Sequence, residues 1–493
     1  MTLRTPLSFN RHMAAGYVRP AGPLDIETAL EPYSGPWNER LAAHLLRRAG
    51  FGGTPDEVAR YAGMNAHDAA EALIHPPDTS SLPSPAIMPY PVDRLRAARA
   101  LEADARREAV KGIRKEAFRS IVALQMWWLE RMLTTPAPLQ EKMTFVLHGH
   151  FTTAAIQKGV WPNLAYGQNQ LYRRYALGNL HDLTLAVSQD PAMLLYLDNA
   201  ENNKSHPNEN YSRELMELFT LGLGNYTEED VRQSARSFTG WAIDRRTGAF
   251  LDNARTHDDG VKTFLGRTGN FTGTDMIDII YRQRACERFW ATALLSAFVY
   301  NDPEPELVDA YANVISRNRF ELAPSLSMLF RSNLFFSPRS YRALVKSPVE
   351  FAVGAHKALG LTKIVPGTPA ALRAMGQVLF YPPNVAGWPG GANWLTSQML
   401  ISRENFALKL VNAPETGASP WLGRVGNDPR AAARELVSTI LQSDAPQDAY
   451  AQLISYLDGT GTSALGALSP ENSDERVRNA AYLTMAMPAY QLG

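Results

Sequence analysis

Between about Val92 and Leu133 the chain keeps a helical period almost without interruption, and this long run constrains the fold more than any other feature. Arg and Glu alternate through its first half, as on a solvated face laced with i,i+4 pairs. The second half carries Ile121, Leu124, Trp127, Trp128 and Met132, a stripe that needs a core to cover it. Gly112 predicts a break between the halves. Thr134 to Pro138 reads as a turn and Leu139 to Leu147 as a second helix, giving an antiparallel helical hairpin that ends at His148-Gly-His150. Similar periods recur at Trp37–Arg48, Asp68–His75, Asn179–Leu197, Asp275–Val299, Glu304–Arg317, Leu322–Ser332, Pro348–Leu359 and Ser402–Val411. The alternation of strand with helix that a parallel sheet requires is absent. The expected class is mainly α: a large multi-helix globular fold with long Gly/Pro-rich loops and a few short strands or hairpins, placed between Arg246 and Thr274. Three parts follow: an extended N-terminal arm over 1–36, a main helical domain over 37–411 carrying the polar motifs, and a C-terminal helical segment over 412–493 packed on it.

With 45% hydrophobic residues among 493, there is ample material for a sizeable core. Lys+Arg and Asp+Glu balance at 49 each, which argues against bulk electrostatic binding to nucleic acid or an anionic membrane. Cys286 is the sole cysteine, so an intrachain disulfide and a Cys-based zinc site are excluded. It reads as a packed small hydrophobe. Met1 to Gly22 lacks the apolar run of a Sec-type signal, and no stretch of about 18 apolar residues predicts a transmembrane helix. The chain as given is expected to be soluble and cytoplasmic, or periplasmic or exported if a leader has been removed. No Walker loop, GxGxxG, HExxH or GxSxG is present, which disfavours the common nucleotide, zincin and serine-hydrolase routes.

The candidate chemistry concentrates in Asn199 to Leu218, a polar loop that starts a helix. With Pro207 at its first position, that helix would gather His206, Asn210, Arg213, Glu214 and Glu217 within an arc of about 100°. An amide, an Arg, a His and two carboxylates are the types that build acid/base or metal sites. The plainer reading makes Arg213 and Glu217 an i,i+4 ion pair, but does not account for the many asparagines. His148-Gly-His150 is the second candidate. If the helix ends at Gly149, both imidazoles can converge as metal ligands; otherwise one caps the helix and one packs on Phe151. His257-Asp258 is either a metal or acid/base pair, or part of an Asp-Gly turn. Tyr381, Trp388 and Trp394 lie in a Gly/Pro-rich loop that suits either aromatic substrate faces or plugs in a helical core, and Trp241, in Phe238-Thr-Gly-Trp241, is a further substrate-binding candidate or part of a partner surface. Lys346 and Glu350, in Lys346-Ser-Pro-Val-Glu350, read as structural.

Taken in order, RLAAHLLRRAGFGG at 40–53, His148-Gly-His-Phe151, Pro207 to Gly222, Phe238-Thr-Gly-Trp241, His257-Asp258, Lys346 to Glu350 and Pro382 to Trp388 resemble the bacterial family called domain of unknown function 1800. The resemblance covers about 37–491 and brings no catalytic residues, because the family has no established activity. It implies a possible protein partner from a second family, domain of unknown function 1501, which resembles sulfatases and alkaline phosphatases.

Two readings follow. One is an enzyme with a polar His/Glu/Asn/Arg pocket between helices, as a metal-assisted hydrolase holding a divalent ion through His148, His150 and His206, or as a metal-free, carboxylate-dependent enzyme acting on glycans. Its catalytic candidates are Glu214, Glu217, Arg213, Asn210, His257 and Asp258. The other is a non-catalytic helical binding or assembly protein that acts with a partner gene product.

Overall fold

The computed structural model describes residues 25–79, 81–244, 246–417, 428–442, 445, 447–460 and 473–493. The long helical run becomes two helices, Val92–Arg99 and Ala103–Thr134. The break falls at 100–102, not at Gly112. Gly112 sits where an added Cβ would meet nothing within 4 Å, so the longer helix passes through it at about 1 kcal/mol relative to Ala. Pro138 opens the next helix, Pro138–His150, which completes the expected hairpin.

Helix Pro162–Tyr175 joins that hairpin through one buried carboxylate. Glu141 is fully buried and accepts from Trp128 Nε1 at 3.0 Å, Arg131 Nε at 2.6 Å and Arg173 Nη2 at 2.9 Å. A buried charge this well bonded ties three helices together. Around them the main apolar cluster runs from Ala29 to Tyr490 and includes Leu436, Leu453 and Val477 of the C-terminal part, while Met88, Ile113 and Ala117 form a smaller one on the first half of the long helix. Helix Ser473–Ala486 packs against helix Ser397–Val411.

Of the expected N-terminal arm, residues 1–24 lie outside the described residues, as do 418–427 and 461–472 of the C-terminal segment. Asp25 caps a short helix, Ile26–Ala29, and Pro32 bridges to Ser332. The stretch expected as one helix from Asp275 to Val299 divides into Gly273–Ile280 and Arg284–Phe298.

Among the described residues strand is confined to two antiparallel hairpins: β1 (Trp241–Ile243), which precedes the stretch where strand was expected, with β2 (Phe250–Asp252), and β3 (Lys262–Phe264) with β4 (Arg267–Gly269). Leu265 and Gly266 both have positive φ, the two-residue turn whose twist suits a hairpin. Among the described residues no helix is long and apolar enough to cross a membrane.

Candidate functional site

His148 and His150 diverge, contrary to the expected convergence. The helix runs on through Gly149 to His150 and closes with Phe151 N–H on the Leu147 carbonyl. Residues two apart on a helix point to opposite sides. His148 packs among Trp128, Phe380 and Trp388, and its Nε2 accepts the Phe380 backbone N–H at 3.1 Å. His150 packs among Phe219, Phe289 and Trp290, and its Nε2 donates to the Phe219 carbonyl at 3.0 Å. Burial lowers the first ring to about 3 and the second to about 4, so both are neutral near pH 7. His206 stands apart, exposed in a turn whose backbone N–H is taken by Asn203. Among the described residues no three His, Cys, Asp or Glu side chains are grouped so as to hold a metal ion.

The motif helix begins later than expected, at Asn210 rather than Pro207, so His206 is not on it. The asparagines explain why. Asn208 accepts from Asn210 N–H at 3.0 Å, Asn202 accepts from Asn208 N–H at 2.9 Å, and Asn202 Nδ2 reaches the Ala235 carbonyl at 2.9 Å. Asn210 Nδ2 donates to the Leu197 carbonyl at 3.1 Å. Asx side chains compete with backbone partners in this way and hold a loop in place of a helical turn. The amide-rich segment is thus the mould of the loop, and Asn210 belongs to it.

After Glu214 the helix widens into a π segment, Leu215–Thr220. Leu221 N–H bonds to the Met216 carbonyl at 2.9 Å, and the Phe219 carbonyl meets His150. Such segments are rare and recur at functional sites. Most charged groups around it are engaged. Arg213 holds Glu228 through two bonds of 2.7 and 2.8 Å and Glu209 through one of 3.2 Å, not Glu217. Glu217 accepts from Tyr226 Oη at 3.0 Å.

Glu214 is the exception. Among the described residues it has no hydrogen-bond or ion-pair partner, and its side chain is half-buried. Burial, then the charge of Glu217, raises its carboxyl to about 7 against the pull of Arg213. The nearby Tyr196 hydroxyl is raised by burial and by Tyr381 and Glu214. Sequence reasoning overlooks Tyr196; its place just ahead of the polar loop is the one available signal.

Tyr381 arrives on a clamped loop. Phe380 accepts from Ala155 N–H at 2.8 Å, and Thr152 hydrogen-bonds to the Val385 carbonyl. Gly387, at φ +80°, lies so close to the helix end that a Cβ would fall 2.7 Å from the Gly149 carbonyl oxygen. Tyr381 is 43% exposed, and Trp388 is half-buried over His148. These two can present aromatic faces. Trp241 and Trp394, each 4% exposed, cannot. Trp241 packs edge-on against Phe238 and Phe250 as core.

His257 and Asp258 do not pair with each other. His257 Nδ1 meets the Thr239 carbonyl at 2.7 Å, while Asp258 takes Arg236 in a two-pronged pair at 2.7 and 3.1 Å that holds its carboxyl below the usual range. Both fasten the β3 hairpin to helix Glu228–Ser237.

Residues 44–492 match the family described as "Protein of unknown function (DUF1800)". No curated relative and no solved structure matches the chain.

Proposed function

From the premise that the chain belongs to this family of unknown function, DUF1800, we propose that it is an enzyme whose proton-transferring group is Glu214. The observation that carries the reading is Glu214 itself: a half-buried carboxyl without a bonded partner, titrating at about 7 beside a second carboxylate. A general acid or base works best when its pKa lies near the operating pH, and two carboxyls whose environments differ divide the acid and base roles. Glu217, held by Tyr226, supplies the neighbouring charge. Tyr381 and Trp388 are the surfaces on which a substrate would rest, and aromatic faces of this kind suit a sugar ring. The reaction class that fits is carboxylate-dependent hydrolysis of a glycan.

The test has two stages. Carbon-13 NMR of labelled glutamate, compared with Glu214→Gln, reads the titration directly; a midpoint near the ordinary 4.5 removes the reading. Hydrolysis of aryl glycosides and polysaccharides is then followed across pH. Activity should depend on a group titrating near 7 and fall about 10²–10⁴-fold in Glu214→Gln. If the titration is shifted but every substrate class is inert, the protein is a binding partner in place of an enzyme. Elemental analysis of wild type beside His148→Ala decides the metal-assisted version: near-stoichiometric metal lost in the variant would replace the carboxylate-only route.

A protein partner from the domain of unknown function 1501 family is the second part of the proposal, supported by the family membership alone. Co-purification of the two chains tests it, and its failure leaves the Glu214 reading standing.

A further inference from the structure

Two motifs that Glu214 does not absorb, 40–53 and Lys346 to Glu350, meet at one cavity. Its volume is about 30 Å³, on the order of two water molecules. Four cationic side chains line it, Arg47, Arg48, Lys142 and Lys346, with the last residue, Gly493, beside them, and among the described lining residues the one side-chain carboxylate is that of Glu350. That carboxylate is already committed. It pairs with Lys142 and accepts the Ser347 backbone N–H at 2.8 Å as the cap of its own helix. Arg48 is held by the carbonyls of Phe298 and Val299 and by a terminal oxygen of Gly493, the last residue.

Lys346 is different. It is 8% exposed, and its ammonium lies 3.7 Å from the centroid of the Tyr490 ring. Among the described residues that ammonium has no hydrogen bond and no ion pair. Its backbone is fixed on both sides: the N–H donates to the Gln491 carbonyl at 2.9 Å, and the carbonyl accepts from Arg403 Nη2 at 2.7 Å. The side chain is therefore held in place inside a wall of like charge. Burial, and then the charges of Arg47, Arg342 and Arg403, push its pKa well below that of an ordinary lysine. Glu350 pulls the other way without pairing with it, and a buried cation that has no ion pair is unfavourable, so an anion in the cavity relieves this.

We propose that this cavity binds a small oxyanion, a carboxylate or phosphate group, with the Lys346 ammonium as its direct ligand and Lys142, Arg47 and Arg48 supplying the surrounding positive field. The site is separate from Glu214 and stands whether or not that residue transfers protons.

The full chain is titrated calorimetrically with acetate, phosphate and sulfate at constant ionic strength set by chloride. Saturable binding of at least one is expected. Acetate alone assigns a carboxylate, and phosphate with sulfate assigns the phosphate class. Lys346→Gln should weaken the binding by at least about tenfold. Glu350→Gln, which removes the one side-chain carboxylate among the described lining residues and keeps hydrogen-bonding atoms at the cap, should tighten it. No saturable binding of any of the three overturns the proposal, as does equal affinity in Lys346→Gln. If Lys346→Gln does not fold, Glu350→Gln decides alone, and unchanged or weaker binding there overturns it.

Discussion

Glu141 and Glu214 are the same side chain in two differently built regions. Glu141 is wholly enclosed, and burial pushes its carboxyl up. The hydrogen bonds and charges of Arg173 and Arg131 outweigh that and hold it below the ordinary value. Glu214 is only half enclosed, yet it rises to about 7. The adjacent Arg213 spends its guanidinium on Glu228 and Glu209. What separates a structural carboxylate from a titrating one here is therefore the number of cations committed to it, not the depth of burial. The two lysines differ only in degree: burial lowers Lys142 against the pull of its partner Glu350, and burial with neighbouring cations lowers Lys346 much further.

The most disruptive way to break the comparison is Glu141→Ala. It strands Arg131 and Arg173 in the interior and should remove about 3–5 kcal/mol in urea unfolding. The two buried imidazoles come next. Their folded values, about 3 and about 4, lie below the unfolded 6.5, so the unfolded chain binds more protons and stability falls as pH drops below 6.5. Near pH 5 each ring should account for roughly 2 kcal/mol, and unfolding curves of His150→Gln should show a shallower acid slope than wild type.

Glu214→Gln should act in the opposite sense. The folded carboxyl holds its proton up to about 7 while the unfolded one releases it near 4.5, so wild-type stability falls as pH rises through that window and then levels off. The variant escapes this. It should gain roughly 1 kcal/mol near pH 8, after discounting for partial exposure, and nothing near pH 4. Asp190, fully enclosed and also raised to about 7, titrates in the same window, so the reading is the difference between variant and wild type. The smallest effect belongs to Arg213→Ala. Loss of its exposed pairs should cost under about 1 kcal/mol, and the NMR midpoint of Glu214 should move further up.

The helical class, the hairpin at Thr134–Pro138 and strand near 246–274 were legible because period and turn residues act locally. The misplaced break shows the limit. Gly112 weakens a helix, but nothing crowds it, and propensity of about 1 kcal/mol yields to the packing of the buried half. The candidate residues separate along the same line. Glu214, Tyr381 and Trp388 were visible by type and setting. The packing of His148 against Phe380 and of His150 against Phe219, and the attachment of Asp258 to Arg236, are set by partners 22 to 232 residues away, which local pattern does not encode. Lys346 looked structural for the same reason: its neighbours arrive from Arg47, Arg403 and Tyr490.

The π segment Leu215–Thr220 has one more consequence, in chain register. A π turn is an α-helix with one residue inserted. Deleting a single residue within it would restore the common spacing and rotate Glu214 by about 100° relative to everything beyond Leu221. The same deletion would withdraw the Phe219 carbonyl from His150. The orientation of the titrating carboxyl and the anchoring of the imidazole thus hang on the presence of one extra amino acid, and a shortened chain would lose both together.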